Sequence, residues 1–298
     1  MNRRQFAKKT AMASALLSSA SIPGFSRLAE MPVRNYKKGI MWGGISTGKT
    51  IMEKFLAAKA AGFDGVEADS HLNRDEVLKA SKSTGLPVAS VCDSLHWKFL
   101  LSSPDPQVRA DGVTALRVAL EDASAYGADT VLLVPGRVTD TIGYDECWDR
   151  SIEEIKKAIP LAEKLKVKIA IENVWNNFLL SPLEAARYID QFKSPAVGAY
   201  FDIGNILAYG WPEQWIKILG KRIAKVHIKE YSRKIADTQG KSAGFKVKLR
   251  EGDVNWGAVM KALDEAGYQG WTNIEMPGGD TPEGLKDLCD RLKLIIES

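Results

Sequence analysis

Four polar side chains lie at or near the ends of short, largely apolar runs in the second half of this 298-residue chain. Three of them are carboxylates and one is an imidazole. If the runs are neighbouring strands of one parallel barrel, their carboxyl ends lie on one face and bring these side chains together. They are Glu172 in the run 167–172, Asp202 in the run 197–202, His227 in the run 224–228 and Glu275 in the run 271–275.

The chemistry of this set indicates a metal site. Three carboxylates and an imidazole brought together repel one another unless a positive charge lies among them, and a divalent cation supplies it. Hard oxygen donors with one nitrogen favour Mn²⁺, which we take as the expected ion, with Mg²⁺, Co²⁺ and Zn²⁺ as alternatives. Taken singly, each residue also fits a salt-bridged strand end. The set on four successive strands favours metal binding.

Eight runs of this kind predict the elements that hold the site. From residue 38 onward they alternate with helical patterns, which is typical of βα units around a parallel sheet. The prediction is therefore an α/β protein with a single-domain (β/α)8 TIM barrel over residues 31–298, since a barrel of this class takes about 250 residues. The predicted strands are 39–42, 65–68, 88–92, 130–134, 167–172, 197–202, 224–228 and 271–275.

Local signals support the helices between these strands. Ser181 with Pro182 and Glu184 forms a capping box with proline at the first helical position, and Gly62 and Gly127 lie where helices should end. The segment 230–255 is the longest irregular stretch. Because long loops in compact domains are more often functional, we expect it over the active face.

Residues 43–50 match the phosphate-loop pattern of nucleotide hydrolases, between a predicted strand and a predicted helix. A nucleotide hydrolase also needs a doubly wound sheet and a magnesium-holding Asp on a neighbouring strand. The element count predicts a barrel instead, so we interpret the segment as a βα loop with a Ser or Thr helix cap.

The motifs around the four residues resemble those of the sugar isomerase and epimerase barrels, the xylose-isomerase-like proteins that include ketose 3-epimerases and sugar-phosphate epimerases. The resemblance covers essentially all of residues 38–298. Asn205 replaces a histidine that ketose 3-epimerases acting on free sugars often carry, and Glu230 replaces the usual Asp. The four motifs are Glu172-Asn173, Asp202-Ile203-Gly204-Asn205, His227-Ile228-Lys229-Glu230 and Asn273-Ile274-Glu275-Met276.

The resemblance implies proton transfer next to a carbonyl. The metal would stabilise an enediolate, and Glu172 and Glu275 would be the acid/base pair that inverts a carbon. A proton passed to the neighbouring carbon would give aldose–ketose isomerisation instead. The residues expected to contact a carbohydrate substrate are His96, Trp97, Asn173, Trp175, Asn205 and Lys229. Packing is the competing interpretation for the tryptophans, and a structural hydrogen bond for His96.

Three other functions are weighed against this one. A lyase or hydratase acting on 3-keto-glycosides would abstract the same proton and expel a neighbouring group. A sugar-binding barrel without activity is opposed by the presence of all four ligands. A metal-dependent endonuclease needs more His and Asp ligands and a basic face, whereas this chain has three histidines.

The amino terminus resembles a twin-arginine signal, with Arg3-Arg4, Phe6 and a weakly apolar stretch. Residues 1–30 are therefore predicted to be a signal and leader, with the twin-arginine translocase as partner and a periplasmic or otherwise exported location. Without the four basic residues in 1–20, the chain keeps 37 basic residues of 41 against 37 acidic ones. That balance, with no basic stripe, predicts no nucleic-acid partner.

No other stretch approaches the length of a membrane span, so stable membrane insertion is not expected. The cysteines at 92, 147 and 289 have no zinc or disulfide spacing and are interpreted as packing residues. The sequence leaves assembly into a homo-oligomer open.

Overall fold

A computed structural model describes residues 34–298, in which eight parallel strands form a closed barrel. Each strand pairs with the next, and β8 pairs with β1 from Tyr36↔Gly270 to Ile40↔Ile274. The predicted (β/α)8 barrel is confirmed. The strands are β1 Tyr36–Met41, β2 Gly65–Asp69, β3 Val88–Cys92, β4 Thr130–Leu133, β5 Lys168–Glu172, β6 Val197–Asp202, β7 Ile223–Ile228 and β8 Gly270–Ile274.

Helices follow the strands and surround the barrel. Short 3-10 turns at Trp42–Gly44, Gly220–Arg222 and Lys241–Lys246 complete the connections. The helices are α1 Ile51–Ala61, α2 Arg74–Thr84, α3 Pro106–Tyr126, α4 Tyr144–Lys156, α5 Ile159–Leu165, α6 Pro182–Asp190, α7 Ile203–Leu207, α8 Pro212–Leu219, α9 Arg233–Gln239, α10 Trp256–Glu265 and α11 Pro282–Ile296.

The helix boundaries lie where the side chains predict them. Ser181 accepts a hydrogen bond from the Glu184 amide at the start of α6, with Pro182 at the first helical position. Gly62 ends α1 with a φ of 93°, a left-handed conformation that costs glycine little. These caps fix where each helix leaves the barrel and therefore which residues remain in the loops.

The main apolar core lies between the barrel and its helices, and a second, smaller buried cluster comprises Cys92, Leu132, Ala170 and Tyr200. Cys92, Cys147 and Cys289 are free and buried, in agreement with their interpretation as packing residues. Among residues 34–298, no helix is both long and apolar enough to cross a membrane.

The phosphate-loop-like segment 43–50 is occupied by protein contacts. The amides of Ser46 and Thr47 donate to the carbonyl of Gly279, at 2.9 and 3.0 Å. The carboxylate of Glu53 accepts from the amides of Lys49 and Thr50, at 2.7 and 3.0 Å. These are the backbone donors that a phosphate would need. The contacts agree with the interpretation of this segment as a capped βα loop.

The predicted twin-arginine signal falls within residues 1–30, outside the described part of the chain. It stays a prediction.

Candidate metal centre and sugar cavity

Glu172, Asp202, His227 and Glu275 meet at the carboxyl end of the barrel. Each offers one ligand atom, and these four atoms lie within 4.8 Å of one another. Nδ1 of His227 lies 3.2 Å from Oε1 of Glu172, 3.1 Å from Oε2 of Glu275 and 3.9 Å from Oδ2 of Asp202. Glu172 and Asp202 are the last residues of β5 and β6, whereas Glu275 lies one residue beyond β8. The fold thus brings together the set predicted from sequence.

The donors of this cluster fit a divalent cation. Oδ2 of Asp202 is buried and has no hydrogen-bond partner among residues 34–298. The Lys229 ammonium, 3.6 Å away, lies beyond hydrogen-bond distance. A buried carboxylate oxygen without a hydrogen bond is costly unless a cation satisfies it. Nδ1 of His227 faces the three carboxylates, and Nε2 faces a fourth, Glu67, at 2.8 Å. Oxygen donors with one imidazole nitrogen suit Mn²⁺, Mg²⁺, Co²⁺ or Zn²⁺.

Burial and charge set the pKa values of the carboxyl groups. Burial raises the pKa of Asp202 to about 8; the Lys229 ammonium opposes this shift, and the charges of Glu275 and Glu172 add to it. Burial also raises the pKa of Glu172 above its usual range. Burial would raise the pKa of Glu275 too, but Lys229 and His227 hold it below its usual range. The two glutamates therefore have unlike proton affinities.

Burial and the neighbouring charges also set the pKa of the His227 imidazole, but burial acts on it with the opposite sign from its effect on a carboxyl group. Burial by itself lowers the pKa of His227, but Glu67, Glu172 and Glu275 hold it well above its usual range. A cation held at Nδ1 would take the place of the proton there, so that metal binding would release a proton.

Lys229 is a second positive group at the cluster. Its Nζ lies 2.8 Å from Oε1 of Glu275 and 3.6 Å from Oδ2 of Asp202. It also lies 5.0 Å from the ring centroid of Phe245. The ammonium is thus held between the cluster and an aromatic wall.

A cavity of about 250 Å³ opens onto Glu172 and Glu275. Five of the six predicted substrate residues line it, and Trp97 at its rim is 48% exposed. Asn173 does not line it. The other lining residues are Met41, Cys92, Leu132, Val174 and Phe245, and the five predicted ones are His96, Trp97, Trp175, Asn205 and Lys229.

The two predicted asparagines hold Asp202 in place. Asn173 donates from Nδ2 to the carbonyl of Asp202 at 2.7 Å and accepts from its amide at 2.9 Å. Asn205 donates from Nδ2 to the carbonyl of Asn173 at 3.0 Å, and its own amide donates to Oδ1 of Asp202 at 2.6 Å. The side-chain amide of Asn173 is thus engaged with backbone, which makes it a positioning group in this structure.

His96 and Trp175 have protein contacts as well as cavity surface. His96 accepts at Nδ1 from the amide of Val134 at 3.4 Å, and burial lowers its pKa to about 4. Trp175 donates from Nε1 to the carbonyl of Asn205 at 2.9 Å. Its ring lies 4.8 Å from that of Phe245, between centroids. Both residues are therefore fixed before any ligand arrives.

The long segment 230–255 forms one wall of the cavity through Phe245. It contains α9 and a 3-10 turn, Lys241–Lys246, and so is more regular than its composition suggests. Glu230 ties its two ends together. Its carboxylate accepts from the amides of Tyr231, Val254 and Arg250, at 3.2, 3.2 and 2.8 Å, and from Nε1 of Trp256 at 2.9 Å.

The sequence interpretation missed Glu67, Phe245 and the role of Glu230. Glu67 had a signal, since a carboxylate stands in the middle of the apolar strand β2. Phe245 had none, because its place at the cavity depends on how the long segment folds back. Glu230 was noted only as a departure from a motif.

The family model for xylose isomerase-like TIM barrels matches residues 55–295 of the chain. The chain is 30% identical over 262 residues to the L-ribulose-5-phosphate 3-epimerase UlaE of Escherichia coli O1:K1 / APEC, covering 83% of this chain and 87% of that protein. It is equally similar to the L-ribulose-5-phosphate 3-epimerase UlaE of Salmonella typhi, with the same coverage of both proteins.

Solved structures share the fold at lower identity. A D-allulose 3-epimerase from Methylomonas sp. superposes with a TM-score of 0.73 at 17% identity, over 88% of this chain and 98% of that one. The 3-keto-D-glucoside 4-epimerase YcjR from E. coli superposes with a TM-score of 0.72 at 20% identity, over 88% of this chain and 100% of that one.

Proposed function

The chain belongs to the family of xylose isomerase-like TIM barrels, and we propose that it is a metal-dependent epimerase of a sugar that carries a carbonyl group. One observation carries this proposal. Glu172 and Glu275 both adjoin Nδ1 of His227 and both line the cavity of about 250 Å³. Two carboxylates that reach one small ligand can exchange protons with a single carbon.

Four side chains would hold the cation, namely Glu172, Asp202, His227 and Glu275. A divalent cation held there would supply the positive charge that polarises a carbonyl group and makes the adjacent C–H more acidic.

The two glutamates would move the proton. Lys229, 2.8 Å from Glu275, favours the ionised form of that carboxylate, which suits it to accept a proton from carbon. Glu172 lines the same cavity, so its carboxyl group is placed to return a proton. Removal on one face and return on the other inverts the carbon, and the pair then exchanges its roles for the reverse reaction.

We propose an uncharged substrate rather than a phosphorylated one. Among the residues that line the described cavity, Lys229 is the one lysine or arginine, and it is already paired with Glu275 and Asp202. A phosphate there would meet Glu172 and Glu275, and like charges at close range are unfavourable. This choice differs from the substrate in the names of the 30%-identical relatives.

A 3-keto-glycoside is the second candidate substrate, acted on by an epimerase, lyase or hydratase. The half-exposed ring of Trp97 at the rim favours it, because a flat apolar surface there can stack on a second ring outside the cavity.

Proton exchange in D₂O tests the proposal. The Mn²⁺-loaded protein is incubated with ketoses, ketose phosphates and 3-keto-glycosides, and the products are followed by NMR. We expect deuterium on the carbon next to the carbonyl together with the epimer, with loss of both after chelation. An unsaturated product would indicate the lyase. Absence of exchange with every substrate, with no metal bound, would refute the enzyme proposal.

We also propose that the protein is exported by the twin-arginine pathway, on the basis of Arg3 and Arg4 in the sequence. Replacement of both arginines by lysine should retain the protein in the cytoplasm, as measured by cell fractionation. Unchanged export of that variant would contradict the proposal.

A further inference from the structure

Glu67 is a fully buried carboxylate inside the barrel, one layer below the metal cluster. It lies in the middle of β2, and its partners are side chains from β3, β6, β7 and β8. Within residues 34–298 no lysine or arginine forms a salt bridge with it, and its salt-bridge partner there is His227. A buried carboxylate in this position needs hydrogen-bond donors.

The donors divide between its two oxygens. Oε1 lies 2.8 Å from Nε2 of His227. Oε2 accepts from the hydroxyl of Ser90 at 2.6 Å and from the hydroxyl of Tyr200, and Nδ2 of Asn273 lies 3.2 Å away. This arrangement favours the ionised form, because the hydroxyls of Ser90 and Tyr200 each donate a hydrogen to it.

An ionised Glu67 determines which nitrogen of His227 carries the hydrogen. A carboxylate can only accept, so Nε2 must be the N–H nitrogen. In the neutral ring Nδ1 then has a free lone pair, and Nδ1 is the atom that faces Glu172 and Glu275. The hydrogen bond also increases electron density on the ring and so strengthens Nδ1 as a donor to a cation.

We propose that Glu67 is a positioning residue of the metal centre, which fixes the Nε2–H form of His227 and thereby directs Nδ1 to a divalent cation. The inference rests on the proposed metal centre and is independent of which sugar is turned over.

The rest of the network supports this role. Tyr200 and Asn273 precede Asp202 and Glu275 by two residues on β6 and β8, so their side chains lie on the same face one layer lower. The ring of Tyr200 lies 4.5 Å from that of His227, between centroids. The two hydrogens on Nδ2 of Asn273 point to the hydroxyl oxygens of Ser90 at 2.9 Å and Tyr200 at 2.7 Å. Through Tyr200, His227 and Asn273, Glu67 is thus joined to the three strands β6, β7 and β8 that position Asp202, His227 and Glu275.

Metal affinity measures the role directly. In Glu67→Gln the charge is lost and the side-chain amide can present either a donor or an acceptor to Nε2. We expect Mn²⁺ to bind about 10–100-fold more weakly by calorimetric titration, as for other partners of metal-bound histidines. Glu154→Gln is the matched control, since Glu154 is also buried but pairs with Arg109 and Lys157 away from the cluster. It should bind Mn²⁺ as the wild type does.

Nitrogen NMR of the wild type is the second measurement, and it does not depend on a folded variant. With Zn²⁺ bound and the three histidines labelled with ¹⁵N, His227 should show its hydrogen on Nε2 and the metal on Nδ1. A hydrogen on Nδ1, or wild-type Mn²⁺ affinity in a folded Glu67→Gln variant, would overturn the inference. Metal binding without turnover of any sugar would refute the proposed function and leave this inference standing.

Discussion

Two sets of buried carboxylate oxygens lie near the carboxyl ends of the last strands, and they differ in the number of hydrogens offered to them. Glu230, two residues beyond β7, accepts from four N–H groups. Asp202, at the end of β6, has one oxygen without any hydrogen-bond partner in the described chain. The first arrangement satisfies a carboxylate within the protein, whereas the second leaves it to a ligand.

Glu230 and Glu275 occupy similar places in the sequence. Both follow an apolar strand, Glu230 two residues beyond β7 and Glu275 one residue beyond β8. The structure makes Glu275 a neighbour of His227 and makes Glu230 the closure of the segment 230–255 that carries Phe245. We infer that Glu230 acts on the cavity wall and that Glu275 acts on the substrate.

The largest effect is expected from Glu275→Gln. The amide cannot accept a proton from carbon, so kcat should fall by roughly 10²–10⁴-fold, the range usual for loss of a general base. Turnover is measured at saturating Mn²⁺, so that weaker metal binding does not limit it. Glu265→Gln, on the exposed face of α10, is the control and should be fully active. Full activity in Glu275→Gln would remove it from the mechanism.

Glu230→Gln should affect stability and substrate binding instead. The new NH₂ group faces backbone N–H groups, and unsatisfied buried donors cost about 1–3 kcal/mol each. We expect the free energy of unfolding of the metal-free protein, measured in urea, to fall by about 2–4 kcal/mol. KM should rise, because Phe245 is less firmly held, while Mn²⁺ affinity stays at the wild-type value. A loss of Mn²⁺ affinity would show that the two regions are not separate.

His96 is a third buried polar group, and it belongs neither to the hydrogen-bond network of Glu230 nor to the metal cluster. Its pKa is lowered to about 4 by burial, against 6.5 for an exposed histidine. The unfolded chain therefore binds more protons than the folded one between these values, and stability should decrease as the pH falls from 6.5 towards 4. His96 would account for up to about 3 kcal/mol of that loss.

The measurement is the free energy of unfolding in urea across this pH range, for the wild type and for His96→Asn. Asp93, whose pKa burial raises to about 7, acts in the opposite direction but is common to both proteins. The difference between the proteins should therefore change with pH. Parallel curves would contradict the assigned role of burial at His96.

The smallest effect is expected from Gly39→Ala, which reaches the network under the cluster without changing any polar group. A Cβ on Gly39 would lie 1.7 Å from Oδ1 of Asn273, so that Asn273 must move. Such overpacking costs about 1–3 kcal/mol of stability. Gly43→Ala is the matched control, since a Cβ there meets nothing within 4 Å. Equal stability of the two variants would show that the network tolerates displacement.

The fold and the cluster could be predicted because their signals are local. Eight short apolar runs that alternate with helical patterns predict the barrel, and the carboxylates that end three of these runs predict the site. The partners of Glu67 could not be predicted, because they come from four strands, and the first and last of them, Ser90 and Asn273, are 183 residues apart. The engagement of Asn173 with the backbone of Asp202 also depends on the register of β5 and β6, which a motif does not contain.

The central claim is that four convergent side chains hold one divalent cation through Nδ1 of His227. Anomalous diffraction from crystals of the Mn²⁺-loaded protein tests it most directly. The account predicts one strong manganese peak in contact with Glu172, Asp202, Glu275 and Nδ1 of His227, while Nε2 keeps its hydrogen bond to Glu67. A cluster without a manganese peak in a protein that binds Mn²⁺ elsewhere, or a peak at Nε2 of His227, would contradict it.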